Sequence, residues 1–281
     1  MTIASDTTNA SDTVAAASGF RADWEAWHQA HEADRASAHG FLAITAQHWL
    51  TGEPTRYDGL PGVWSTGDEG PVAVLAEGET LLVDGAVVTG SVGFGPIPER
   101  GGRTAAFGDT VIEIAKRGGH DLLRPRHPEH PTRTEYHGTP AYEPSEHWVR
   151  EGRFLPFPEP VDVTVGSVAE GLQHVYAVPG EVEFSVEGAL HRLTAFNGFT
   201  PGSLLVLFTD ATSGVTTYAA NRSLSVAAPD AEGRVVHDFT RAVNLPCAYT
   251  EFATCPLPPA GNRLPFPVEA GERIPNGGTE R

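Results

Sequence analysis

The sequence is poor in sulfur, with two cysteines and one methionine in 281 residues. Both cysteines, Cys247 and Cys255, lie eight positions apart in a proline-rich stretch from Phe239 to Phe266. Two thiols cannot form the paired C-x-x-C knuckles of a structural zinc site. A zinc ion held here would need further ligands, and the nearest other candidate, His237, is single.

Basic side chains are also scarce, since 19 Lys and Arg residues stand against 36 Asp and Glu, which gives a formal charge of −17. A surface of this charge repels phosphate backbones and anionic lipid headgroups, so we expect no nucleic-acid and no membrane partner. No apolar run approaches the ~20 residues that cross a bilayer. The first residues have no basic n-region or apolar h-region, so we expect a cytoplasmic protein with reduced cysteines.

Familiar catalytic motifs are absent as well. There is no G-x-S-x-G elbow, no Walker loop and no H-E-x-x-H pair. The glycine-rich "GSVGFGP" follows a strand pattern, but Pro96 comes next and no helix pattern follows, so a turn is predicted rather than a dinucleotide site. These absences leave the reaction class open.

What is present predicts a mainly β protein, antiparallel and barrel-like or sandwich-like, with an N-terminal helical segment. Phe20, Trp24 and Trp27 are spaced as one face of a helix. After Gly62, short β-branched segments alternate with glycine turns such as "DG" and "EG". The predicted divisions are a disordered tail (1–18), a helix with a β lobe (19–150), a second β lobe (151–270) and a tail (271–281), or one compact unit from 19 to 270.

Two clusters in the middle of the chain suggest ligand binding. His127, His130 and His137 lie in the long irregular stretch from His127 to Trp148, which indicates either a metal site or a solvated loop. Five of the 19 basic side chains fall within residues 116–133. Such a patch in an acidic protein predicts either a binding site for a carboxylate or phosphate, or ion pairs with nearby acidic side chains.

The cysteines allow several interpretations besides a metal site. A disulfide is sterically allowed but opposed by a reducing compartment. Cys247 as a nucleophile would need a base, which His237 with Asp238 as its orienting partner would supply. Both thiols could equally be compact buried hydrophobes beside prolines.

The C-terminal half carries three ordered blocks, "FTDATSGVTTYAANRSLSV", "VVHDFTRAVNLPCAY" and "CPLPPAGNRLPFPVEAGER". In this order and spacing they resemble the bacterial family known as domain of unknown function 1684. The stretch "IEIAKRGGHDLLRPRHPEHPTRTEYHGTPAYEP" is similar to the middle of that family, so the resemblance extends over residues 20–273. It supplies positions rather than roles, because the family has no settled activity.

The resemblance marks the following polar positions: Arg124, Arg133, Asp210, Thr212, Ser213, Tyr218, Arg222, Asp238, Arg241, Asn244, Cys247, Tyr249, Cys255 and Asn262. This chain departs from the family pattern at His127, Asn221, Thr240, Val243 and Leu245. Such departures indicate either a different ligand, as in a specialised biosynthetic enzyme, or positions that never contact one.

Together these residues predict a pocket for a small anionic or polar molecule, used by an enzyme without a tightly bound cofactor. The candidate catalytic residues are Tyr218, His237, Asp238 and Cys247. The candidate ligand-binding residues are Arg124, Arg133, Asp210, Ser213, Arg222, Arg241, Tyr249 and Asn262. The alternatives are a non-catalytic module that holds a ligand or a flavin-type cofactor, with a metal also considered, and a structural or assembly protein. A homo-oligomer stays open, and the same polar groups could instead satisfy one another as a buried network.

Overall fold

The computed structural model of the chain describes residues 9–276. The long helix α1 (Asn9–Arg35) is followed much later by the single-turn helix α2 (Pro131–Thr134). Four 3-10 turns span Phe41–Ala43, Glu146–Trp148, Phe239–Arg241 and Pro246–Ala248. No helix within the described residues is long and apolar enough to span a membrane.

The first lobe consists of nine short strands in two sheets. They are β1 (His48–Trp49), β2 (Val63–Ser65), β3 (Val72–Val74), β4 (Leu81–Val83), β5 (Ala86–Val88), β6 (Ser91–Gly93), β7 (Gly102–Phe107), β8 (Thr110–Arg117) and β9 (His120–Arg126). One antiparallel sheet has the order β1-β9-β8-β7-β4-β5, and the other has the order β2-β3-β6. Their shared core includes Trp64, Leu81, Ile112 and Ile114, which are almost fully buried.

The second lobe is a single antiparallel sheet of seven strands. They are β10 (Val149–Gly166), β11 (Gln173–Val186), β12 (Ala189–Asn197), β13 (Leu204–Phe208), β14 (Arg222–Val226), β15 (Arg234–Asp238) and β16 (Val243–Asn244). Their order is β15-β10-β11-β12-β13-β14-β16, so the sheet curls around a core without closing into a barrel. The predicted mainly β, sandwich-like class with an N-terminal helix is confirmed.

The hairpin turns form where the sequence predicts them. Asp84 and Gly85 join β4 to β5 with φ of 50° and 79°, and Glu187 and Gly188 join β11 to β12 with φ of 50° and 81°. Positive φ at both central residues is the type I′ geometry that matches strand twist, and glycine adopts it without steric cost. These local signals therefore position most of the strand boundaries.

Helix α1 also forms as the aromatic spacing predicts, but it docks on the second lobe. Trp24 is 8% exposed, and its indole N–H donates to the Thr240 carbonyl oxygen at 2.8 Å. Arg241 pairs with Asp23 of the helix. The helix therefore contacts the lobe after residue 150, whereas the predicted division had placed it with the strands before that residue.

Both predicted tails differ from the structure. Helix α1 begins at Asn9, within the segment 1–18 that was expected to be disordered, and residues 1–8 lie outside the described part. At the other end, Glu272 is 1% exposed and ion-paired with Arg35 at 2.6 Å. The chain is therefore packed at least as far as Glu272, which lies within the predicted tail. Residues 277–281 lie outside the described part.

Candidate functional site

Asp210 and Arg222, predicted to bind a ligand, form a buried ion pair with Oδ2 and Nη2 2.8 Å apart. The guanidinium also donates to the carbonyl oxygens of Val268, Ala270 and Glu272, and it lies over the Phe208 ring. Asp210 Oδ1 accepts hydrogen bonds from three donors in the same network: Thr212 N, Thr212 Oγ1 and Val268 N. The pair is therefore occupied in holding the segment 268–272 against β14.

Ser213 and Asn262 serve the same architecture. The Ser213 hydroxyl accepts from the Asp210 amide at 3.1 Å and closes a turn. Asn262, 1% exposed, accepts from the Thr194 amide and donates to the carbonyl oxygens of Thr194 and Leu207. Its amide thus ties the loop after the second cysteine to β12 and β13.

The two cysteines are free thiols in a small core cluster. The Tyr218 hydroxyl donates to the Cys247 carbonyl oxygen at 2.9 Å, which fixes the loop rather than the thiol. A hydrogen bond with Cys247, together with burial, raises the pKa of Cys255 well above its ordinary value. A protonated, buried thiol is a poor nucleophile, so this environment fits the compact-hydrophobe interpretation.

His237 and Asp238 lie away from Cys247. The His237 ring is fully buried and packs against Phe184 with ring centroids 4.8 Å apart, and burial lowers its pKa from 6.5 to about 4. Asp238 caps a 3-10 turn by accepting from the Thr240 amide at 3.1 Å. Because Cys247 packs in a different cluster, the predicted Cys247–His237–Asp238 arrangement is not the one that the structure contains.

Arg241 and Arg133 hold helix α1 at its middle and at its C-terminal end. Arg241 pairs with Asp23 and Asp238, and its guanidinium lies over the Trp27 ring at 5.2 Å. Arg133 donates to the carbonyl oxygens of Ala36 and Ser37, which directly follow the helix, and to that of Pro128.

Tyr249 belongs to a buried network centred on Arg35, which sequence reasoning missed. The Arg35 guanidinium donates to Glu32, Thr139 and Glu272, and it lies over the Tyr249 ring at 4.8 Å. Although burial alone lowers the pKa of Arg35, the Glu272 carboxylate raises it above the ordinary value. Burial raises the pKa of Tyr249. The network joins helix α1 to the segment before β10 through Thr139 and to the segment after β16 through Glu272.

Arg124 is the predicted binding residue that lines a cavity of about 610 Å³ between the lobes. Strand β8 turns Ile112 and Ile114 into the core of the first lobe, so Glu113 and Arg117 project from its other face. Arg124 pairs across strands with Glu113 in register, and Arg126 lies two positions further on the same face. This face forms one wall of the cavity.

The arginines of that wall share a single carboxylate. Glu113 lies 3.0 Å from Arg117, 3.7 Å from Arg124 and 2.5 Å from Arg126. Burial alone would raise the pKa of Glu113, but the surrounding guanidiniums lower it. Burial lowers the pKa of Arg124, with Glu113 opposing and Arg117 and Arg126 adding to that effect. Three crowded guanidiniums around one carboxylate leave positive charge for an anion to neutralise.

The opposite wall comes from the second lobe and is mainly apolar. It is formed by Phe196, Leu205, Leu207, Leu245 and Pro246, with Phe41 at the side. Strand β11 adds His174 and Tyr176, which alternate with exposed residues and therefore face the same way. Arg100 is an exposed residue of the first lobe, and its guanidinium lies over the Tyr176 ring, 4.6 Å from the ring centroid. Apolar surface opposite clustered cations suits an amphipathic anion.

His174 is held in one orientation by the cysteine loop. Its Nε2 lies 2.8 Å from the Thr254 carbonyl oxygen, which assigns the proton to Nε2. Its Nδ1 is buried and has no hydrogen-bond partner within the described residues. Burial lowers the pKa of His174, so the ring is neutral at pH 7 and its Nδ1 carries a free lone pair.

Sequence reasoning found the basic patch that contains Arg117, Arg124 and Arg126, but it missed Arg100, Glu113, His174 and Tyr176. The available signal was the alternation in "QHVYAV", which places His174 and Tyr176 on one face of a strand. The predicted histidine cluster is not brought together as a metal site, since no group of three or more metal-binding side chains occurs in the described range 9–276.

The comparisons with known proteins place the chain without assigning a function. The family described as "Protein of unknown function (DUF1684)" matches residues 134–273, whereas the predicted resemblance began at residue 20. An uncharacterised protein of Haloarcula marismortui, solved by solution NMR, is 27% identical, with 50% of this chain and 78% of that chain covered and a TM-score of 0.42. The comparison with curated proteins found no match. Over residues 134–273, the chain belongs to the DUF1684 family.

Proposed function

We propose that this protein binds a small organic anion in the cavity between its lobes and acts on it as an enzyme without a tightly bound cofactor. The observation that carries the proposal is the sharing of Glu113 by Arg117, Arg124 and Arg126 on the cavity wall. An acidic protein that keeps surplus guanidiniums at one concave surface attracts anions there.

The shape of the cavity supports a ligand with an apolar body. Its volume of about 610 Å³ lies within the ~300–1,000 Å³ of small-molecule sites. Leu205, Leu207 and Phe196 would cover the body of the ligand, while the arginines on the facing wall would hold its head. Burying the apolar part adds affinity of roughly 25 cal/mol per Å² before the costs of association are subtracted.

Turnover is supported by two side chains on the wall, His174 and Tyr176. The neutral imidazole of His174 is the candidate base, because its Nδ1 has no partner within the described residues, but that nitrogen is buried and the ring must turn before it can take a proton from a ligand. The Tyr176 phenol, whose pKa is raised by burial, stays protonated and is the candidate donor. The originally predicted catalytic residues Tyr218, His237, Asp238 and Cys247 do not line the cavity. His174 and Tyr176 replace them in the proposal.

The binding half of the proposal is tested by isothermal titration calorimetry with 1-naphthoate and decanoate. We expect binding by the native chain and a loss of about tenfold in affinity for Arg100→Ala, because one guanidinium at the mouth is removed. The matched control is Arg192→Ala, which removes an exposed arginine paired with Glu183 outside the cavity. Equal weakening by both variants, or no binding of any organic anion, would refute the proposal.

The catalytic half is tested with ligands identified by mass spectrometry in extracts incubated with the protein. An enzyme converts its ligand, and His174→Gln or Tyr176→Phe would lower the rate by ~10²–10⁴-fold while affinity changes little. A ligand recovered unchanged would favour the alternative, a non-catalytic module that holds its ligand or cofactor.

A further inference from the structure

The loop between β12 and β13 places a phenylalanine at the mouth of the cavity. Phe199 is 87% exposed, the highest value among the large hydrophobic side chains that the structure describes. A single exposed apolar side chain needs no explanation by itself. Phe199 differs from the other exposed ones because it also lines the cavity between the lobes. Its surface is therefore open to a molecule that enters the cavity.

The other apolar residues of that wall offer a ligand less surface. Phe196 and Leu207 are 2% and 1% exposed, so their side chains are already covered by the protein. Leu205 and Leu245 are partly buried. Apolar burial stabilises binding in proportion to the area removed from water, so the side chain with the most open surface has the most to contribute. On this wall that side chain is Phe199.

The loop that carries Phe199 is held in shape by its own hydrogen bonds. The Gly198 amide donates to the Ser203 carbonyl oxygen at 2.8 Å, and the Ser203 amide and hydroxyl donate to that of Thr200 at 3.0 and 2.7 Å. A Cβ at position 198 would lie 2.3 Å from Ser203 Oγ and 3.0 Å from the Ser203 backbone, so glycine lets the two ends of the loop approach closely. The backbone of Phe199 is therefore positioned before a ligand binds, which reduces the ordering cost of binding.

The same loop starts beside the candidate proton donor. Strands β11 and β12 are antiparallel, and the Asn197 side-chain amide donates to the Ala177 carbonyl oxygen at 3.4 Å. The chain after Asn197 therefore continues past Tyr176. Arg100 lies over the Tyr176 ring from the first lobe. A ligand whose head lies near the arginines and whose reacting atom lies near Tyr176 would extend its apolar body toward Phe199.

We infer that Phe199 is a ligand-contacting residue that covers the apolar body of the bound anion at the cavity mouth. In the complex, the ring exchanges its contact with water for contact with the ligand. This inference rests on the proposed function and names one of the residues that determine which ligand is bound.

Calorimetry with 1-naphthoate and decanoate, the probes of the proposed function, tests this role. Phe199→Ala should lower the affinity for the probe that the native chain binds by about tenfold, because the covering ring is lost. Phe199→Leu keeps an apolar side chain and should lose less. The matched control is Leu190→Ala, which removes an apolar side chain of β12 that is 69% exposed and lies outside the cavity, and it should leave the affinity unchanged.

Stability separates a lost contact from a damaged fold. The Phe199 ring is mostly in water, so Phe199→Ala should keep the native midpoint of urea unfolding while its affinity falls. Unchanged affinity in Phe199→Ala, an equal loss in Leu190→Ala, or as large a loss in Phe199→Leu would overturn the role of Phe199 and leave anion binding intact. Failure of the native chain to bind either probe would instead refute the proposed function itself.

Discussion

Replacing Arg222 by methionine should unfold the protein more readily without altering its cavity. The Arg222 side chain is 1% exposed and that of Asp210 is 0% exposed, so the substitution leaves a carboxylate buried without its counter-charge. Breaking a buried pair in this way costs about 3–5 kcal/mol. The carbonyl oxygens of Val268, Ala270 and Glu272 lose a donor at the same time, which places the expected loss near the upper end.

A double-mutant cycle separates the ion pair from the rest of the network. Asp210→Asn keeps an oxygen for the amides of Thr212 and Val268 but removes the charge that faces Arg222. Combining it with Arg222→Met should cost less than the sum of the single variants, with a coupling of roughly 1–3 kcal/mol. The control Arg192→Met removes a pair whose arginine is 59% exposed and should change stability by less than about 1 kcal/mol.

Urea unfolding followed by tryptophan fluorescence measures these free energies, because Trp24 bonds the Thr240 carbonyl and Trp148 packs against Phe239, so both report on the second lobe. The slope of the transition should stay the same while its midpoint falls. Native Arg222→Met protein should also bind naphthoate as the unmodified chain does. A variant with an unchanged midpoint and weakened anion binding would refute the assignment of this pair to the scaffold.

Three further substitutions or measurements probe the buried groups. Lowering the pH from 6.5 to about 4 should destabilise the protein by up to about 3 kcal/mol through His237 alone, because in this range the unfolded chain binds a proton at His237 and the folded chain does not. His237→Phe should flatten this part of a stability–pH profile measured by urea unfolding. Gly70→Ala should lower the melting temperature more than Gly78→Ala, because both glycines have positive φ but only at Gly70 would a Cβ lie 2.0 Å from a backbone oxygen; equal effects would contradict this. Thiol titration should show Cys247 and Cys255 reacting slowly in native protein and at once in urea, whereas a fast native reaction would contradict their assignment as buried thiols.

The parts of the fold that were predictable are those encoded by near neighbours. Helix α1 follows from aromatic spacing, and the hairpins at Gly85 and Gly188 follow from residues that tolerate positive φ. The docking of α1 depends instead on Trp24 meeting the carbonyl of Thr240, 216 positions away. Any residue can supply a backbone carbonyl as an acceptor, so the amino-acid type at position 240 does not reveal this contact.

The same reason explains why most predicted site residues turned out to support the scaffold. Buried networks and ligand pockets draw on the same Arg, Asp, Asn and Tyr side chains, and they differ in whether the donors are already taken. Arg222 donates to the carbonyl oxygen of Ala270, and Asn262 donates to those of Thr194 and Leu207. Any residue could supply such a carbonyl. Arg124 was predictable because cations are rare in this chain and cluster near it.

The cavity joins two parts of the chain that differ in their relation to the family. His174, Tyr176 and the apolar wall lie within residues 134–273, which the family model matches, whereas Arg100, Glu113 and Arg124 lie before them. The cysteine loop links the two, since Arg124 donates to the Thr254 hydroxyl and His174 contacts the Thr254 carbonyl. In the proposed function, the matched segment therefore supplies the apolar and acid–base wall, and the first lobe sets which anion is accepted. A protein that shares only the matched segment would keep the chemistry of that wall but need not keep the ligand.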